Sequence, residues 1–267
     1  MIFRLNDRHF APSQPVRTVA AVRYVTPLRE GGSLPAIVEG DDEGLHVLKF
    51  RGAGQGPRSL VAELVAGELA RAAGLPVPEI VFMTLDSDLA RTEPDPEIQD
   101  LIRASAGLNL ALDYLPGALA FDPTVEPVEP DLASRIVWFD AYVTNLDRTA
   151  RNTNLLVWHR RLQLIDHGAA LYFHHAWPSV TDRSADPFPL IRGHVLLPAA
   201  SRVVEADAAM TALIAPAVID DVVGLIPAGW MADGDADRQR YAQHLKARLA
   251  APRVFVEEVL RARSADV

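Results

Sequence analysis

Prolines at positions 116, 123, 127 and 130 divide the chain into two stretches with different backbone habits. Proline fixes φ and lacks an amide donor, so neither a sheet ladder nor a helix runs through such a cluster. Upstream, β-branched and aromatic runs at Val19–Val25, Leu34–Val38 and Leu45–Phe50 predict three strands. Gly31-Gly32-Ser33 separates the first two, and a hairpin turn at Glu39–Gly44 joins the second and third. A helix is expected from an N-cap at Ser59 to about Ala73, stopped by Gly74, Pro76 and Pro78. Glu79–Leu85 and Asn109–Leu115 read as fourth and fifth strands, with an acidic excursion and a short helix ending near Ser105 between them. Downstream, Asp131 opens an apolar-faced helix to about Thr144, and helices are expected over roughly 201–214, 216–226, 235–250 and 252–263. The expected division is a strand-rich lobe over 1–115 and a helical lobe over 116–267.

Between those helical stretches lies Asn145-Leu-Asp147-Arg-Thr-Ala-Arg-Asn152-Thr-Asn154, two short strands near Leu155–Trp158 and Leu162–Ile165, and then Asp166-His167-Gly168. An Asp with an Asn five residues on, followed by a hairpin that delivers a second Asp, is the part list of a phosphoryl-transfer site. Asp147 would take the proton of an acceptor hydroxyl, while Asn152 and Asp166 would hold Mg²⁺ on nucleotide phosphates. Oxygen donors suit that hard cation, and the phosphates complete its shell. Each residue alone has an ordinary alternative in turn or cap chemistry; the order of the parts favours catalysis. Asn6-Asp7-Arg8-His9 imitates the loop, but Pro12 stands where the second ligand should be.

Other parts lie upstream. Lys49 ends the apolar strand His46-Val-Leu-Lys49 and is placed to meet phosphate as a point charge. A kinase pairs such a lysine with a helix glutamate. Glu63 and Glu68 both qualify: Glu63 lies opposite the bulky arc of its helix, on the face that pattern assigns to solvent, among Ala66, Gly67 and Ala70. Gly31, Gly32 and Ser33 could cradle phosphate with backbone amides or form a plain turn. His167, His174, His175 and His194 match no zinc spacing and read as structural or solvated.

Composition excludes several classes. A net charge of −9 argues against nucleic acid and against an anionic membrane surface as partners. The absence of cysteine excludes disulfides and thiolate metal sites. The chain opens with no cationic leader and contains no long uncharged apolar run, so a cytoplasmic location is expected.

Three stretches together resemble the HipA-like kinases: His46-Val-Leu-Lys49-Phe50, Glu63 through Pro78, and Asn145 through Gly168. The resemblance covers about residues 20 to 170. It implies a two-lobed protein-kinase-like α+β fold, with a small antiparallel-sheet lobe carrying one helix and a mostly helical second lobe. It also favours Glu63 over Glu68 and implies an ATP site with Gly31 to Ser33 near the phosphates. Asp113, Tyr114 and Leu115 would form a hinge that meets adenine through the backbone. The implied activity is Mg²⁺-ATP-dependent phosphoryl transfer to a hydroxyl, first of all on Ser or Thr of a protein. A nucleotide-binding pseudokinase and a metabolite or lipid head-group kinase are the alternatives. The sequence departs from the family at Thr149, where relatives often carry His, and at Pro35-Ala36 in the glycine loop.

Overall fold

A computed structural model of the chain describes Phe3 and residues 16–28, 34–54, 56–177 and 183–265. Gly31, Gly32, Ser33 and the Asn6–His9 imitation lie outside the described residues.

The strand-rich part is a closed five-stranded barrel with the order β1-β2-β3-β5-β4. Its strands are β1 (Thr18–Pro27), β2 (Ala36–Gly40), β3 (Leu45–Lys49), β4 (Ile80–Leu85) and β5 (Gly107–Asp113). The first three form the expected antiparallel meander. Closure comes from a pairing that the meander does not imply: Thr18–Ala20 runs parallel to Phe82–Thr84. The long β1 serves two partners, β4 with its first residues and β2 with the rest, and register shifts after Ala21 and Tyr24 bend it between them. Alternation then separates two faces. Leu48, Val81, Met83 and Ala111 turn into the barrel, where they pack with Ile98 and Ile102 of α2 (Pro96–Ala104). Ile80, Leu110 and Leu112 turn outward into the main core, and Lys49 shares that face as the cross-strand partner of Leu110.

The main core surrounds α1 (Pro57–Ala72), whose residues are buried continuously from Leu60 to Gly67 and again at Leu69 and Ala70. The solvent face that the pattern assigns to Glu63 does not exist, because barrel and helices cover this helix on every side. The small residues explain how. A Cβ on Gly67 would lie 2.4 Å from Ile80 Cδ1, so β4 approaches α1 more closely than alanine would permit. The helix also starts earlier than expected. Gly56, with φ +68°, precedes Pro57, and the Ser59 hydroxyl donates to the Gly56 carbonyl at 2.9 Å.

On the far side of the prolines, α3 (Pro130–Tyr142) stacks Trp138 on Tyr142, and Phe255 of α7 (Val254–Ala265) meets Trp138 edge-on and Tyr142 at a tilt. Asp131 lies in the first turn of α3, bonded to Arg135, not at its cap. The hairpin β7 (Leu155–Trp158) and β8 (Arg161–Leu164) is joined by β6 (Leu119–Ala120). Helices α4 (Val203–Leu213), α5 (Pro216–Gly224) and α6 (Gly234–Leu249) complete this part. Trp230, after α5, reaches back to the barrel: it meets Phe82 edge-on, and its indole N–H donates to Leu108 O at 3.2 Å. Among the described residues no helix is long and apolar enough to cross a membrane.

Candidate active site

Lys49, Glu63 and Asp166 come together from β3, α1 and the segment after β8. Lys49 Nζ lies 2.7 Å from Asp166 Oδ1 and 3.5 Å from Glu63 Oε2. The other oxygen of Glu63 accepts the backbone amide of His167 at 3.1 Å. One buried carboxylate thus holds the lysine and also the amide that follows Asp166. Burial opposes the ammonium charge, but Glu63 and Asp166 hold Lys49 above the ordinary lysine pKa. Burial likewise opposes ionisation of Glu63, and Lys49 and His167 outweigh it and keep the group a carboxylate. Asp166 itself has φ +56°, in the left-handed region that aspartate and asparagine enter more readily than other residues bearing a Cβ. From there its half-exposed carboxylate meets Lys49. Glu68 instead pairs with Arg71 at 3.0 Å on the same helix, away from Lys49.

The second group is local. Asn152 Nδ2 donates to Asp147 Oδ2 at 2.9 Å, and Asn154 Nδ2 donates to both the carbonyl and the carboxylate of Asp147 at 3.2 and 3.3 Å. Asn154 reaches this position through a left-handed turn, φ +46°, which asparagine tolerates. Thr149 closes the loop. Its amide donates to Asn152 O at 2.8 Å, and its hydroxyl accepts the Asn152 amide at 3.3 Å. Because the amide nitrogen of Asn152 is engaged by Asp147, its carbonyl oxygen is the atom left for a cation. Among the described residues no group of three or more His, Asp or Glu forms a metal cluster. The donors present, one amide oxygen and the Asp166 carboxylate, fit a hard cation that takes its remaining ligands from phosphate and water.

The barrel edge near Asp113–Leu115 is partly committed. The Asp113 amide donates to Glu79 O at 2.8 Å and the Tyr114 amide to Leu45 O at 2.9 Å. Burial raises the Asp113 carboxyl above its usual range, against a neighbouring His46.

Comparison with known families fits this geometry. The family model for HipA-like kinases matches residues 21–253. The chain belongs to the HipA-like kinase family. It is a phosphotransferase with the two-part α+β fold of kinases. Solved structures with a similar fold include a proinflammatory kinase of Helicobacter pylori, CtkA, at 13% identity. That match covers 92% of this chain and 99% of CtkA with a TM-score of 0.54, a likeness of fold. The Golgi casein kinase matches at 11% identity over 95% of this chain and 75% of its own, with a TM-score of 0.46. A second structure of it, with Mn/ADP bound, matches at 11% over 94% and 74%, with a TM-score of 0.48. No curated protein matches the chain.

Two residues that complete the site, Asp140 and His194, lie outside the motif. Asp140, Arg148 and His194 are buried beneath the Asp147 loop, joined by Asn145. The available signal was a single acid in the apolar run Ile136-Val-Trp-Phe-Asp140-Ala-Tyr-Val, since a carboxylate rarely enters such a run without partners. The histidines read as structural or solvated divide accordingly. His167, His174 and His194 are buried and His175 is half-buried.

Proposed function

We propose that the protein transfers the γ-phosphoryl group of ATP to a hydroxyl, with Asp147 as the base and Asn152 and Asp166 as the Mg²⁺ ligands. The observation that carries this reading is the double grip of Glu63, on Lys49 and on the His167 amide. It presents an ammonium and a carboxylate side by side at the end of β3. Lys49 would exchange its contact with Asp166 for the phosphates, leaving that carboxylate to the cation. When bound, Mg²⁺ would neutralise phosphate charge. The chain's own residues then have little covalent work; they position and compensate charge. Asp147 would take the proton of the acceptor hydroxyl as its oxygen attacks the γ-phosphorus and the bond from that phosphorus to the β,γ-bridging oxygen breaks, releasing ADP, with Asn152 and Asn154 fixing the carboxylate that receives the proton. With the Asp113 and Tyr114 amides engaged in the barrel, the Leu115 amide is the donor we assign to adenine. Gly31, Gly32 and Ser33 are proposed to cover the phosphates.

The acceptor we assign is Ser or Thr of a protein. Arg151 and Asn152 are exposed and Asp147 half-exposed, so the acceptor side is an open rim suited to an extended segment. ATP turnover with Mg²⁺, measured for the wild type and for Asp166→Asn, tests the assignment. Turnover by the wild type alone is expected. Thermal stabilisation by Mg²⁺-ATP without wild-type turnover would identify a nucleotide-binding regulatory module. Transfer to small molecules but to no protein would identify a metabolite or head-group kinase.

A further inference from the structure

Asp140 is fully buried in α3, and its two oxygens meet three donors. Asn145 Nδ2 reaches Oδ1 at 3.1 Å, while Arg148 Nε and His194 Nε2 reach Oδ2 at 2.6 and 2.9 Å. The arms lead to the active site. Arg148 Nη1 donates to the carbonyl of Asn154 and, at 3.4 Å, to that of Ile165. Asn154 is the residue that holds Asp147 through its amide, and Ile165 immediately precedes Asp166. No direct bond joins the Asp147–Asn152 pair to Asp166 among the described residues; the guanidinium of Arg148 spans them, beside the Ile165 amide, which donates to Asn154 O at 3.1 Å.

The third arm goes elsewhere. The Leu196 amide donates to His194 Nδ1 at 3.0 Å, so the ring proton sits on Nε2 and points at Asp140. The Val195 amide donates to Arg148 O at 3.1 Å, and Thr149 and His194 pair as an isolated β-bridge. Residues 189–197, beyond the aromatic segment that follows Gly168, are thereby fastened beneath the catalytic loop. Packing alone does not call for such a centre, because an apolar group of equal volume often stabilises a core as well as a buried ion pair. A planar guanidinium fixed by one carboxylate and two carbonyls adds direction.

We infer that Asp140 and His194 are positioning residues for phosphoryl transfer: Asp140 sets Asp147 against Asp166 through Arg148, and His194 makes that setting depend on the docking of residues 189–197. This rests on the kinase reading above.

Two substitutions in the full chain separate the bonds of His194. Glutamine places an amide nitrogen near the position of Nε2 and keeps the donor to Asp140. Asparagine places an oxygen near the position of Nδ1 and keeps only the Leu196 contact. We expect His194→Gln to hold kcat within about twofold, and His194→Asn to lower it about tenfold with KM for ATP unchanged. Amide exchange at Thr149 and Val195 should quicken in His194→Asn and stay near wild type in His194→Gln. Equal losses of kcat and melting temperature in both variants would reduce His194 to a packing residue and overturn the inference. So would unchanged exchange at Thr149 and Val195 in His194→Asn. A wild type with no turnover would defeat the kinase reading, yet the exchange comparison would still decide whether the strut exists.

Discussion

Lys49 and Asp147 belong to two groups of the candidate site, and the two sides are put together differently. The Lys49 side joins three elements far apart in the chain, with Asp166 117 positions after Lys49, and its central carboxylate, Glu63, is 1% exposed. The Asp147 side is made within the run from Asp147 to Asn154, is open at its rim, and takes its rigidity from an ionic centre beneath it. Charge is therefore held deep where it would meet phosphate and left accessible where a hydroxyl would arrive. A buried ion pair makes the first side sensitive to any lost partner. The second side should tolerate change in stability but not in chemistry.

Asp147→Ala is the sharpest way to test that contrast. Turnover should fall about 10²- to 10⁴-fold, the usual contribution of a positioned base, while the melting temperature and ATP affinity stay near wild type. A variant that loses nucleotide binding instead would erase the distinction between the sides. Lys49→Met should act in the opposite way. It leaves Glu63 buried without its ammonium, at a cost of about 3–5 kcal/mol in chemical denaturation. A Lys49→Met protein as stable as wild type would show that this side is not held by its ion pair.

The third expectation carries the contrast to the segment after Gly168. Burial, and then His175 and Arg58, lower His174 from 6.5 to about 3. A histidine depressed in the folded state is protonated first in the unfolded chain, so its full contribution is present above pH 6.5 and declines as pH falls toward 3. By pH 5 that difference amounts to about 2 kcal/mol, readable from denaturation midpoints across a pH series. His174→Gln should flatten the slope, and an unchanged slope would assign the acid sensitivity to other groups. The smallest effect is expected from Glu68→Gln. Its partner Arg71 is on the same helix, so stability should move by no more than about 1 kcal/mol and turnover not at all. Loss of activity there would reopen the choice between the two glutamates.

How much of this was legible in the sequence follows the same division. The Asp147 loop, its hairpin and the strand ending at Lys49 could be read because spacing and β-rich alternation are local signals. The face of Glu63 was misread because amphipathic pattern assumes a helix with one wet side, and α1 has none. The closed barrel was hidden for a related reason. Its closing pairs, Thr18–Ala20 with Phe82–Thr84, depend on a bend in β1 that no turn residue announces. Asp140 carries no signal beyond its apolar run, and His194 reads only as a structural or solvated histidine, because each gains meaning only from the other and from Arg148.

The enclosure of α1 also bears on how the protein could be controlled or inhibited. Switches that rotate the glutamate-bearing helix out of the cleft need one face of that helix to be detachable. Here Gly67 is pressed against Ile80, and the Trp230 indole ties the helical part to the strand next to β4. Moving this helix out would therefore have to break the packing of β4 against Gly67.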